Sequence, residues 1–235
     1  MTADAIWKTI AATLRAEIAG GGYGPGSRLP TEALLAARFG VNRHTVRHAL
    51  ADLAEAGEVR ARRGSGVFVT QVPTDYPISL RTRFHQNVLA SGRTPSRQML
   101  RLETRVALAA EAEALGLAAG DQVHVVEGVS LVDGQPIAVF RSCFPAARFA
   151  GLPGVMGRLT SVTAALRELG VPDYTRAQTR ITASAADPVL ALHLNLPPGA
   201  PVLQSTSVNV DPQGIPVEYV VTCFAGERVT LTIAS

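Results

Sequence analysis

Arg43, His44, Thr45 and Arg47 crowd the start of the stretch GVNRHTVRHALADLAEAG, Gly40 to Gly57, directly behind Asn42. Guanidinium groups on one exposed helical turn are donors for phosphate oxygens and for base edges. A second basic stretch, SLRTRFHQN from Ser79 to Asn87, sets Arg81 and Arg83 on either side of Thr82. Thr82 can cap a helix whose first free amides come from Arg83, Phe84 and His85, and such a helix start binds anions through its N–H groups and dipole. Glu218 is a carboxylate in a strand of mainly apolar residues, with no cation beside it in sequence. By strand parity it shares a face with Thr222, and it is either a charge at a sheet edge or an acceptor inside a cavity.

Other chemistries lack their residues. There is no HExxH pair, no nucleophile elbow and no pair of carboxylates at useful spacing. Gly64-Ser65-Gly66 is followed by Val67 and Phe68, where a phosphate loop needs Lys and Ser or Thr. Cys143 and Cys223 are too few and too far apart for a disulfide framework or a zinc site, and their β-branched, aromatic surroundings predict two core cysteines. No catalytic residue, metal or cofactor is predicted.

The elements that position the first cluster follow from periodicity. Ile6, Ile10, Leu14 and Ile18 recur every four residues and predict a helix ending at Gly20-Gly21-Gly22. Thr31 caps a short second helix through Phe39, with Gly40 suited to the left-handed residue that stops it. Asn42 caps the third, whose Val46, Ala49, Leu50 and Leu53 face the core while His44, His48 and Ala51 point away. EVRARRGSGVFV then predicts a β-hairpin with a basic tip, carrying Arg62, Arg63 and Gly64. Two helices on a tight turn, followed by such a wing, form a winged helix-turn-helix that inserts its last helix into a DNA major groove, with the wing at phosphates or the minor groove.

Charge is distributed accordingly. Residues 1–70 carry nine Arg/Lys against six Asp/Glu, residues 71–105 six arginines against two acids, and residues 106–235 seven against eleven. The prolines and polar residues of TQVPTDYP predict a linker over 71–77, between a domain of residues 1–70 and one of residues 78–235. In the second domain, Leu115 to Phe144 runs beside Leu194 to Phe224, pairing Gly120 with Gly199, Pro136 with Pro216 and Cys143 with Cys223. The repeat predicts an α+β fold in which duplicated halves pair into one antiparallel sheet. No stretch resembles a signal peptide or reaches the ~18 apolar residues that span a bilayer, which predicts a cytoplasmic protein without membrane contact.

The run LPTEALLAARFGVNRHTVRHALADLAEAG with GSGVFV resembles the DNA-binding domain of GntR-family transcription regulators. That resemblance implies a homodimer reading a palindromic operator through Asn42, Arg43, His44, Thr45 and Arg47, with wing positions Arg63 and Gly64. Some members place an arginine where this chain has Ala33. DYPISLRTRFHQNVLASG, AQTRITASAA and VEYVVTCFAGERV are similar to the UTRA effector domain of the HutC subfamily, a chorismate-lyase-like fold, and most to the phosphonate-operon repressors of the PhnF group. The resemblance implies a ligand phosphate at Thr82 to His85, Ser161 and Glu218. Two arginines of sugar-phosphate-binding members fall at Gly128 and Ser130 here, so Arg81, Arg83, Arg141 or Arg180 must supply the charge for a small anionic effector. Alternatives are a HutC-type regulator answering to an amino-acid catabolite or sugar derivative, and a chorismate-lyase-like enzyme.

Overall fold

In the computed structural model, which describes residues 3–62, 64–71 and 73–233, the every-fourth-residue stripe becomes α1 (Ala3–Ala19). α2 (Glu32–Phe39) is capped by Thr31, whose hydroxyl accepts from Leu34 N, and stopped by Gly40 at φ 65°. α3 (Arg43–Glu55) is capped by Asn42, whose Oδ1 accepts from Thr45 N at 2.8 Å. Val46, Ala49, Leu50 and Leu53 are buried with Ile10, Leu14 and Leu35. β1 (Val59–Arg62) and β2 (Gly66–Val69) form the antiparallel wing. The chain separates into two units, residues 1–72 and 73–235.

The second unit runs β3 (Thr74–Pro77), α4 (Phe84–Ala90), β4 (Pro95–Val106), α5 (Ala109–Leu115), β5 (Gln122–Val132), β6 (Gln135–Pro145), α6 (Leu152–Met156) and α7 (Val162–Glu168). It continues through β7 (Thr175–Ala185), α8 (Pro188–Leu194), β8 (Pro201–Val210), β9 (Pro216–Ala225) and β10 (Val229–Thr232). The stretch expected to be a linker is therefore half strand: β3 pairs in parallel with β10. Thr74 N and Ile78 N donate to Arg228 O and Thr232 O, so in the alternation of a ladder Pro77 lies where an N–H would face away from the partner. Thr74 and Tyr76 supply the buried face that the polar composition concealed.

Six strands form one antiparallel sheet in the order β4-β5-β6-β9-β8-β7. β4-α5-β5-β6 and β7-α8-β8-β9 are its halves, joined where Val139 faces Cys223 and Cys143 faces Tyr219. The repeat thus begins a strand earlier than sequence similarity reveals. Cys143 is buried and Cys223 partly so, both as free thiols. α6 and α7, between the halves, pack with Phe140, Phe144 and Phe149 on one face of the sheet.

Candidate functional site

On the N-terminal unit, Arg43 and His44 are open to solvent at the start of α3. Arg47 is exposed as well, but its Nη2 donates to Glu32 Oε2 at 2.9 Å. This hydrogen bond lowers the Glu32 pKa below the ordinary carboxylate value, and an exposed pair of this kind is readily exchanged for a phosphate. Thr45 turns its hydroxyl back to Asn42 Oδ1, 3.0 Å away, so both residues serve the cap, as Thr31 does on α2. His48 stacks on Trp7 of α1, ring centroids 4.4 Å apart. On the wing, Arg62 lies over the Phe68 ring and Gly64 takes φ 74°. Arg63 lies outside the described residues.

In the C-terminal unit, one face of the sheet floors a cavity of about 270 Å³, walled by Tyr76, by residues 82–86 and by the first turn of α7. Two rows of side chains cross the floor. Arg97, Ser130 and Ala138 stand side by side on β4, β5 and β6; Arg176, Asn209 and Glu218 do so on β7, β8 and β9. The rows correspond under the duplication, because the offset of 79 residues that aligns Leu115 with Leu194 also aligns Arg97 with Arg176 and Ser130 with Asn209.

The rows differ in charge. Glu218 is 4% exposed and accepts from Asn209 Nδ2 at 2.6 Å, in the same row as Arg176. No carboxylate stands in the first row. Arg97 lies over the rings of Phe140 and Phe84, 4.5 and 5.1 Å from their centroids, and its Nε is buried without a hydrogen-bond partner, as is that of Arg176. Burial lowers the Arg97 pKa, yet a guanidinium starts high enough to stay charged. A cation desolvated on aromatic faces with unused donors can take an anion in charge-assisted hydrogen bonds. His85 nearby is pushed down by burial and then by Arg97, which makes it a neutral imidazole at neutral pH. Burial raises the phenols of Tyr76 and Tyr174, so both keep their protons.

Residues 90–230 match the UTRA domain, and residues 7–69 match the bacterial regulatory proteins of the gntR family. The chain belongs to the GntR family. It is 42% identical to an uncharacterized HTH-type transcriptional regulator of Rhizobium meliloti (strain 1021), over 97% of this chain and 94% of that one. It is 34% identical to the probable transcriptional regulator PhnF of Escherichia coli (strain K12), over 90% and 88% of the two chains. The crystal structure of PhnF from Mycobacterium smegmatis is similar with a TM-score of 0.67 at 26% identity, covering 96% of this chain and 98% of that one. This GntR-family chain is thus a transcriptional regulator with a DNA-binding helix-turn-helix domain and a UTRA domain.

Several residues of this GntR regulator stand elsewhere than their sequence suggested. Thr82 does not cap α4; its hydroxyl accepts from Ser79 N and donates to Ser79 O, both at 2.8 Å, and Arg83 occupies the cap position without a side-chain bond to the helix amides. Arg83 lines the cavity but is 7% exposed, donating to Asp173 Oδ1 and Tyr174 O and stacking on the Tyr174 ring. Arg81 pairs with the same Asp173 outside the cavity. Arg141 alternates with Phe140 and Ser142 and so faces the other side of the sheet. Arg180 does likewise, because the bulge between Arg176 and Gln178 shifts the parity of β7. Thr82, Phe84, His85, Ser161, Glu218 and Thr222 do line the cavity, and Ser161 also caps α7.

Arg97, Arg176 and Asn209 escaped the sequence reading; extending the repeat upstream at its own offset would have paired the two arginines. Gly128 has a steric reason: a Cβ there would stand 2.6 Å from Gln98 O and 2.8 Å from Phe140 Cζ. Gly128→Ala is therefore expected to lower unfolding free energy by about 1–3 kcal/mol in urea titrations, as overpacking does. An unchanged midpoint would mean that the strand yields without cost.

Proposed function

We propose that this regulator is a homodimeric repressor released from its operator by a small phosphonate- or phosphate-like anion bound in the sheet cavity. The observation that carries the reading is Arg97, half-buried over Phe140 and Phe84 with a buried Nε that lacks a partner. It supplies, from the strand next to Ser130, the charge that Gly128 and Ser130 lack. Glu218 and Asn209 then accept from an ammonium or hydroxyl at the ligand's other end. The cavity, about 270 Å³, is at the lower edge of the ~300–1,000 Å³ of ligand pockets, which suits a compact anion. The phosphonate follows from the resemblance of the second domain to the phosphonate-operon repressors of the PhnF group, whose name the Escherichia coli relative carries.

A single recognition helix covers few base pairs, so two protomers on half-sites about one helical turn apart, in the cytoplasm, complete the reading. Thr31, Asn42, Arg43, His44, Thr45, Arg47, Arg62, Arg63 and Gly64 form or support that contact. Release requires the ligand to bind the DNA-free arrangement more tightly than the DNA-bound one. Thermal-shift titration with alkylphosphonates, aminoalkylphosphonates, phosphate, sugar phosphates and urocanate, followed by gel shifts on DNA upstream of the chain's own gene, tests this. Stabilisation and DNA release by a phosphonate are expected. Selective response to urocanate or a sugar derivative would replace the ligand class, and pyruvate release from chorismate would replace the function.

A further inference from the structure

The loop before α2 lies against the wing as a third strand. Gly26 N and Leu29 N donate to Val69 O and Val67 O, Val69 N donates back to Ser27 O, and Arg28 pairs with Phe68. Arg28 is consequently fixed at its backbone beside β2 while its side chain stays exposed. Its guanidinium crosses the wing at Gly66: a Cβ there would stand 2.7 Å from Arg28 Nε, and Gly66 has φ 111°. Glycine is thus needed for the backbone, and its missing side chain leaves room for the arginine to lie across the strand.

Between this arginine and α3 is a cleft of about 310 Å³, lined by Arg28, Thr31, Glu32, Arg43 and Gly66 among others. Arg15, Arg38 and Arg47 each have a carboxylate, in Glu58 with Asp52, Glu17 and Glu32 respectively. Among the described residues, Arg28 and Arg43 have none within ion-pair distance. Glu32, the one acid lining the cleft among the described residues, is hydrogen-bonded by Arg47. Among the described residues the cleft therefore holds two cations without a hydrogen-bonded carboxylate, between the helix expected to enter a major groove and the wing expected to reach the adjacent minor groove. What separates those grooves is a sugar–phosphate strand.

We propose that the cleft is a backbone-phosphate site, with Arg28 and Arg43 closing on one DNA phosphate between the two grooves. Arg28 is then a DNA-contacting residue that carries affinity but no sequence information. This rests on DNA binding by the N-terminal unit, and the wild-type measurement tests that separately.

The full chain, with Arg28→Gln and Arg28→Lys variants, is titrated onto two short duplexes of unrelated sequence by fluorescence anisotropy over a range of NaCl concentrations. One lost phosphate contact lowers the slope of log K against log salt by about 0.9 per bound protomer. Arg28→Gln is expected to show that loss equally on both duplexes, with binding weakened several-fold at low salt, and Arg28→Lys to retain most of the slope. A slope in Arg28→Gln equal to wild type overturns the site. A loss confined to one duplex also overturns it, since that would make Arg28 a base reader. Wild type that binds neither duplex would instead remove the DNA-binding role itself. Thermal melting of both variants guards the comparison; should Arg28→Gln melt early, Arg43→Gln, on the opposite wall of the cleft, must give the same slope change.

Discussion

Arg97→Ala is expected to weaken the effector by about 100-fold while leaving DNA affinity within about twofold. A charge-assisted hydrogen bond to a buried partner contributes roughly 1.5–3 kcal/mol, and two such bonds from one guanidinium exceed the 2.8 kcal/mol or so that a hundredfold represents. Arg97 offers that geometry because its planar group is held over the Phe140 and Phe84 rings. Lysine cannot reproduce a fork, so Arg97→Lys should recover only part of the loss. Arg141→Ala and Arg180→Ala, on the opposite face of the same sheet, are the controls. Calorimetric titration of each variant with the phosphonate that stabilises wild type most decides the matter. Equal weakening in Arg180→Ala would mean that long-range charge, rather than a contact, holds the anion.

What could be read in advance was local. Thr31, Gly40 and Asn42 act on amides within a few positions of themselves, so their caps and stops follow from residue type alone. The stripe of Val46, Ala49, Leu50 and Leu53 is a property of one helix. The sheet cavity is different, because its floor depends on which strand lies beside which and in what register. The bulges at Met99/Arg101 and Arg176/Gln178 each change which residues face inward, and nothing in the flanking residue types announces them. Thr82 failed for another reason: a threonine at a turn can bond backward or forward, and here it bonds to Ser79. The duplication was the one long-range signal in the sequence. It was visible from Leu115, where the paired segments share glycine, proline and cysteine, and faded over β4 and β7, whose equivalent arginines line the cavity.

Loss of the Glu111 carboxylate is expected to cost the sheet about 3 kcal/mol. Glu111, on α5, is 2% exposed. Arg105 donates to both of its oxygens at 2.7 and 2.8 Å, Leu108 N donates at 2.9 Å, and the Cys143 thiol donates at 3.3 Å. Burial alone would raise the Glu111 pKa; these donors and the Arg105 charge outweigh it and hold the value at about 2, against 4.5 for the free side chain. The Cys143 thiol, pushed up to about 12 by burial and by Glu111, stays protonated and remains a donor. Because the folded value is depressed, the contribution is complete above the unfolded pKa and disappears as pH falls from about 4.5 towards 2. The gap corresponds to about 3 kcal/mol. Glu111→Gln should therefore be less stable than wild type near neutrality and lose less than wild type on acidification to about pH 3. Trp7, the chain's one tryptophan, reports the N-terminal unit by fluorescence, whereas circular dichroism registers both units, so the transition that fluorescence lacks is that of the sheet. The substitution should move the second transition and leave the first in place. If wild type and Glu111→Gln lose stability in parallel between pH 7 and 3, other carboxylates account for the acid lability and Glu111 is held by packing alone.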